Sequence, residues 1–227
     1  MTTGTAGIIV AAGRSQRMAG GDKLWAPLTG PDGRSRPLLA YAVAAFQRCA
    51  AIERVALVLA DDALARGQDL VRDEGFDKVC AVVAGGARRQ DSVRAGLDAA
   101  GAAGWVVVHD GARPLVTPEL IERGLAAARE TGAACCALPV PDTVKEASEG
   151  VIVRTLDRSR LWLAQTPQVF RYDLLMEAHL QAQGDATDDA SMVEALGVRV
   201  KLFEGSPRNL KVTTPEDLAL VQALLRS

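Results

Sequence analysis

Apolar runs recur along the chain at Gly7–Ala12, Val55–Ala60, Val79–Val83, Trp105–Val108 and Ala133–Val140. They are short, rich in Val, Ile and Ala, and bounded by glycine or charged residues, the pattern of strands buried on both faces of a parallel sheet. Between them, residues with helical periodicity predict helices at Leu38–Ala50, Asp62–Glu74, Asp91–Ala100 and Thr117–Thr131. Thr117 followed by Pro118 is a strong helix start, with a hydroxyl cap and a proline at the first position. Thr214-Pro215-Glu216-Asp217 repeats that signal before a final helix, with Asp217 as the acid of a capping box variant. Strand and helix alternate, so the expected fold is α/β with a mostly parallel sheet and ligands at the carboxyl ends of its strands.

The alternation breaks between Pro139 and Gln168. There Asp142–Ala147 and Val151–Leu156, joined by Ser148-Glu149-Gly150, read as a hairpin mixing apolar and charged residues. Such a hairpin is poor core material. It reads either as a decorative insertion or as an arm that packs on a second subunit, spanning about residues 139–165 of a single domain of residues 1–227.

Composition narrows the classes. With 227 residues, 48% hydrophobic and 24% charged, the chain can bury an ordinary core. A net charge of −2 and only 4% aromatic residues exclude a general nucleic-acid surface. No stretch approaches the roughly 20 apolar residues of a membrane helix. The N-terminus lacks the charged start of a signal peptide. Cys49, Cys80, Cys135 and Cys136 have no zinc spacing and mostly apolar neighbours, so free thiols in the cytoplasm are expected.

The chemistry gathers where strands end. After Ile8-Ile9-Val10 come the small residues Ala11, Ala12 and Gly13, then Arg14, Arg17 and Lys23 among Ser15, Gly20 and Gly21. Backbone N–H groups cradling oxygens, with cations neutralising charge, are what a polyphosphate requires. Neither the dinucleotide fingerprint nor the Walker pattern fits, because Ser15 and Met18 replace glycines and Asp22 intervenes before Lys23. Gly85-Gly86-Ala87-Arg88-Arg89-Gln90-Asp91-Ser92 follows the third strand and reads either as a plain turn into a helix or as a loop whose backbone groups and Ser92 hydroxyl read the edge of a base. His109-Asp110-Gly111-Ala112-Arg113 follows the fourth, where Asp110 is a natural Mg²⁺ ligand. Arg113 either contacts phosphate or pairs with an acid to hold the loop, and His109 reads as a structural histidine. Lys211 reaches the same phosphates if a last strand returns beside the first. Thr187 faces a polyol or, with Asp188, Asp189 and Ser191, caps a short helix.

The segments AAGRSQRM with Lys23, GGARRQDSV, HDGARP, PVPDTVK, DRSRLWLAQTPQVF, TDDASMVE and NLKVTTPEDL occur in order over the whole chain. Together they resemble the 2-C-methyl-D-erythritol 4-phosphate cytidylyltransferase family of the non-mevalonate isoprenoid pathway, in its single-function form. The resemblance implies a Rossmann-like nucleotidyltransferase sheet with a protruding hairpin arm, a homodimer through that arm, and Mg²⁺ or another divalent cation on Asp110. It assigns Arg17, Lys23 and Lys211 to the CTP phosphates and the transition state. Ala11, Ala12, Gly13, Gly86, Ser92 and Asp110 are assigned to the nucleoside. Thr143 and Arg158 would come from the partner's arm and hold methylerythritol phosphate beside Arg113, Thr166 and Thr187. Gly111 stands where the family usually has alanine, which implies a looser turn. Ala87 replaces an acid that some members place near cytosine, leaving base contacts to the backbone and Ser92.

The implied reaction is in-line attack of a phosphate oxygen on the α-phosphorus of CTP, releasing pyrophosphate. Ribitol 5-phosphate cytidylyltransferases share the motifs and differ mainly in acceptor; transferases using other nucleotides come next. A non-catalytic nucleotide sensor on the same fold would bind CTP without turnover. A nicotinamide-dependent oxidoreductase fails on the glycine pattern.

Overall fold

The computed structural model describes residues 4–13 and 22–226. In chain order the strands are β1 (Thr5–Ala11), β2 (Pro27–Thr29), β3 (Ser35–Pro37), β4 (Arg54–Leu59), β5 (Val79–Ala84), β6 (Trp105–Asp110), β7 (Ala133–Pro139), β8 (Lys145–Ser148), β9 (Val151–Thr155), β10 (Trp162–Arg171) and β11 (Lys201–Glu204). The helices are α1 (Leu38–Arg48), α2 (Leu64–Glu74), α3 (Arg89–Ala100), α4 (Pro118–Thr131), α5 (Tyr172–Gln181), α6 (Asp189–Ala195) and α7 (Pro215–Arg226).

One seven-stranded sheet runs β11-β7-β10-β6-β1-β4-β5. Its pairings are parallel except that β10 runs antiparallel to both β6 and β7. Adjacent side chains on its strands point to opposite faces, and both faces are apolar. Ile9, Val107, Cys136 and Val169 pack into a core shared with α1, α2, α4 and α7. Their neighbours Ile8, Val106, Val108, Cys135 and Phe170 face α3, α5 and α6. That two-sided burial explains why the strands read as continuous apolar runs.

The expected caps form. Thr117 accepts a hydrogen bond from Leu120 N–H, and α4 ends at Gly132 in a left-handed conformation (φ 88°). Before α7, Thr214 Oγ1 accepts from Asp217 N–H while Asp217 Oδ2 accepts from Thr214 N–H, closing a capping box. The hairpin forms as β8–β9, turning at Glu149 (φ 50°) and Gly150 (φ 79°).

One condition set by the sequence is not met, and one strand is not marked in it. The last sheet strand, β11, pairs with β7 at the far edge and does not return beside β1. Lys211 instead lies in the loop after it, which is tied to the sheet where Val212 N–H donates to Ala112 O (2.8 Å). In addition, Trp162–Arg171 forms a full strand in the middle of the sheet. Its central Gln165-Thr166-Pro167-Gln168 lacks apolar alternation, because Gln165, Thr166 and Gln168 are buried for hydrogen bonds to Ser206 O, His109 Nδ1 and Asp188 Oδ2.

Candidate active site

β1 and β6 are parallel neighbours, and Val10 pairs in register with Asp110. The ends of both strands therefore open on the same edge. There a cavity of about 650 Å³ is lined by Ala11, Ala12, Gly13, Lys23, Gly86, Ser92, Asp110 and Lys211, with Arg88 and Arg89 on its wall. All the nucleotide-side residues expected from sequence line it except Arg17, which lies outside the described residues.

Asp110 is the electrostatic centre. Lys211 Nζ donates to its Oδ2 at 2.8 Å; Arg89 Nε lies 3.5 Å from Oδ1 and Arg113 Nε 3.8 Å from Oδ2. Burial alone would raise this carboxyl's pKa, but Lys211, Arg89 and Arg113 outweigh it and hold the group well below the usual carboxylate range. It is ionised at any physiological pH.

Each cation is seated by neighbours. Lys23 opens a 3-10 turn, Lys23–Trp25, capped by Asp22, whose side chain accepts from Leu24 N–H. Leu24 and Trp25 are buried in the core, with the Arg66 guanidinium 4.3 Å from the Trp25 ring centre. Lys211 is bracketed by buried Asn209 and Val212; Asn209 Nδ2 donates to Thr166 O at 2.7 Å. Arg113 takes the second of its two expected roles. It is buried, donates through Nη1 to Asn209 O (2.7 Å), and backs Asp110 from outside the cavity wall.

Behind Asp110 lies a closed chain. Thr166 Oγ1 accepts from Asp110 N–H (3.0 Å) and donates to His109 Nδ1 (3.0 Å), while His109 Nε2 donates to Arg113 O (3.1 Å). Burial pushes the His109 pKa down to about 4, so the ring is neutral and structural. Thr166 thus spends its one hydroxyl proton inside the protein, and is 4% exposed.

The base-side loop is built tightly. Gly86 N–H donates to Ser92 Oγ (3.2 Å), which in turn donates to Arg88 O (3.2 Å). A Cβ on Gly85 would lie 2.3 Å from Ala12 Cβ, and one on Gly86 2.4 Å from Asp91 Cβ. These glycines are thus required first by the protein's own packing. At Gly111 a Cβ would lie 2.9 Å from both Ala11 Cβ and Leu39 Cδ1, so an alanine there would require those neighbours to shift.

The acceptor-side residues are less gathered. Thr187 is exposed, just ahead of α6, whose N-cap Asp188 accepts from Ser191 N–H (2.9 Å). Thr143 and Arg158 are exposed at the base of the hairpin, Arg158 donating to Pro141 O. None of Arg113, Thr143, Arg158, Thr166 and Thr187 lines the cavity. Two functional candidates escaped the sequence reading, Arg89 and Asp189. Arg89 Nη1 lies 2.8 Å from Asp189 Oδ2, and Asp189, read from sequence only as a helix-starting acid, is fully buried. Only the doubled arginine after Gly85-Gly86 hinted at the first.

A parallel α/β sheet with a cation-rich, glycine-bordered cavity at its carboxyl edge and one ionised carboxylate defines a nucleotidyltransferase. The IspD family model, described as 2-C-methyl-D-erythritol 4-phosphate cytidylyltransferase, matches residues 5–227. The enzyme of that name from Dehalococcoides mccartyi (strain CBDB1) is 46% identical over 220 residues, covering 96% of this chain and 95% of the relative. That of Bacillus licheniformis is 41% identical, covering 97% and 95%. The crystal structure of the Thermus thermophilus enzyme superposes with a TM-score of 0.78 at 38% identity over 100% of both chains. The chain belongs to the IspD family, the cytidylyltransferases of non-mevalonate isoprenoid biosynthesis.

Proposed function

We propose that Lys23, Lys211 and Asp110, with Arg17, carry cytidylyl transfer from CTP to 2-C-methyl-D-erythritol 4-phosphate in this chain. The observation that carries this reading is the convergence of both lysines and the carboxylate on one cavity bordered by small residues. Ala11, Ala12 and Gly13 leave room for the nucleoside against the backbone. Gly86 and Ser92 line the side read as facing cytosine, where Ser92 Oγ, its proton already given to Arg88 O, keeps a lone pair to accept from the base. An oxygen of the acceptor's phosphate forms the new bond to the α-phosphorus, the α–β bridging bond breaks, and its electron pair leaves with pyrophosphate. An ionised phosphate needs no general base, so the protein's contribution is positioning and charge neutralisation. A neutral, buried His109 is consistent with that economy.

Among the described residues, no group of three or more His, Cys, Asp or Glu side chains is placed to hold a metal. One ionised, hard oxygen donor fits Mg²⁺ that keeps its waters and takes its other ligands from phosphates. Asp110 would hold it, and the ion would supply charge neutralisation at the triphosphate.

The acceptor pocket is read as completed by a partner subunit, whose Thr143 and Arg158 would join Thr187, with the buried Thr166 and Arg113 supporting it from behind Asp110. Val151, Ile152 and Val153 on the arm are 60–69% exposed, and Trp162 and Leu163 beside it are 44% and 51% exposed, a surface suited to burial in a homodimer. In this reading residues 1–227 act as one nucleotidyltransferase domain, with residues 139–165 as the arm. Four free cysteines, three of them buried, accord with a cytoplasmic setting. Among the described residues no helix is long and apolar enough to cross a membrane.

The test is pyrophosphate release with CTP and Mg²⁺, comparing methylerythritol phosphate and ribitol 5-phosphate as acceptors. Strong preference for the first is expected. Preference for ribitol phosphate would overturn the acceptor assignment, and CTP binding without turnover would overturn the catalytic one.

A further inference from the structure

Three consecutive side chains at the start of α3 reach across to the segment ahead of α6. Arg88 Nη1 donates to Gly184 O (3.5 Å) and lies 3.3 Å from Asp185 Oδ1. Gln90 Nε2 donates to Gly184 O (3.1 Å), and its Oε1 accepts from Ala186 N–H (2.8 Å). Between them Arg89 bridges two carboxylates, with Nη1 at 2.8 Å from Asp189 Oδ2 and Nε at 3.5 Å from Asp110 Oδ1. Asp189 is fully buried, two residues beyond Thr187. Its other neighbour, His179, lies 3.9 Å away and is kept neutral by burial.

A buried carboxylate stripped of its counter-ion is strongly destabilised, so Arg89 is held where it is. Lys211 differs. Its side chain is 42% exposed, and its ammonium can leave Asp110 for a phosphate. Once it does, Arg89 and Arg113 are the protein cations that stay beside Asp110, and of the two Arg89 also reaches Asp189.

We propose that Arg89 is a positioning residue, seated on Asp189, that fixes the Asp110 carboxylate relative to the Thr187 segment and so ties the nucleotide half of the site to the acceptor half. This rests on the reading of Asp110 and Thr187 given above. Guanidinium geometry suits the role, because its separate nitrogens meet two carboxylates at once and a lysine ammonium offers only one point. The acceptor must meet the α-phosphorus in line, where a misplacement of about 1 Å costs on the order of a hundredfold in rate.

The experiment compares Arg89→Lys with the double variant Arg89→Gln, Asp189→Asn. The double variant removes both charges together and leaves a neutral pair able to hydrogen-bond. Expected in both is a fall in kcat of about tenfold or more with a rise of about tenfold in the KM of the polyol phosphate, while the KM of CTP changes less than about threefold. Calorimetric titration with CTP and Mg²⁺ is the control for the nucleotide half, since Arg89 itself borders that cavity: a loss of CTP affinity larger than the rise in polyol phosphate KM would overturn the proposal. The double variant should melt close to the parent. A folded double variant with parental kcat and KM values would overturn the proposal. So would a lower kcat with both KM values unchanged and a matching loss of folded protein, which is the mark of a merely structural pair. A parent that released no pyrophosphate would overturn the underlying site reading, and that result is read before any variant is made.

Discussion

At the carboxyl edge of the sheet, Asp110 has three cations within 3.8 Å and a hydrogen-bonded chain of buried groups behind it. In the arm, every residue of β8 and β9 is exposed, and its polar contacts are surface pairs such as Arg154 with Glu146 and Lys145 with Thr155. The first is closed by contacts among the described residues of one chain. The other presents Val151, Ile152 and Val153 to water and keeps Thr143 and Arg158 away from the cavity. The nucleotide half is held together by buried contacts of this chain, whereas the proposed acceptor half has its residues spread over exposed segments.

The largest effects should come from removing cations of the preorganised half. Lys23→Ala and Lys211→Ala should each lower kcat by about a hundredfold or more, near 3 kcal/mol for one transition-state contact, in a steady-state pyrophosphate assay. Near-normal turnover in either would dissolve the contrast. Next is the arm. Ile152→Asp, read by sedimentation and by acceptor kinetics, should convert a dimer to a monomer and raise the KM of the polyol phosphate by about tenfold or more, leaving CTP binding within about threefold. A monomeric variant with unchanged acceptor kinetics would show that the acceptor half needs no partner.

Smaller effects belong to the core beneath the site. A Cβ on Gly96 would meet Ile8 Cγ2 at 2.5 Å and Val58 Cγ2 at 3.0 Å, so Gly96→Ala should destabilise by about 1–3 kcal/mol in denaturant titration. Acid should act gently through the buried imidazoles. His179 is lowered by burial from 6.5 to about 4, as is His109, so between those values the unfolded chain binds protons that the folded chain does not. Stability therefore rises with pH across that window and is lost as pH falls through it. Asp189, its carboxyl raised by burial, works in the opposite sense. The melting temperature should fall from pH 7 to 4.5, and His179→Gln should flatten that slope; an unchanged slope would remove His179 as a contributor.

Much of this was legible in the chain. Parallel strands buried on both faces leave unbroken apolar runs, so five of the seven sheet strands could be marked to within a residue or two. β10 could not, because Gln165, Thr166 and Gln168 are buried for their hydrogen bonds and carry no hydrophobic signal. Nor could β11, which is only four residues long. At the site, residues next to strand ends were found because topology brings such ends together. Lys211 was found for a partly wrong reason, since a loop and not a strand delivers it. The Arg89–Asp189 pair joins positions a hundred residues apart in sequence, and no local pattern reports such a contact.

The reversed direction of β10 has a further consequence. β7 leaves the sheet at the same edge where β10 enters it, so the chain between Pro139 and Trp162 is a loop hung from the catalytic rim, outside the sheet's own hydrogen bonding. Its length can change without disturbing a pairing of the seven-stranded sheet. On the proposed reading of Thr143 and Arg158, exchanging the arm would alter which polyol phosphate is accepted and leave the cavity at the ends of β1 and β6 as it is.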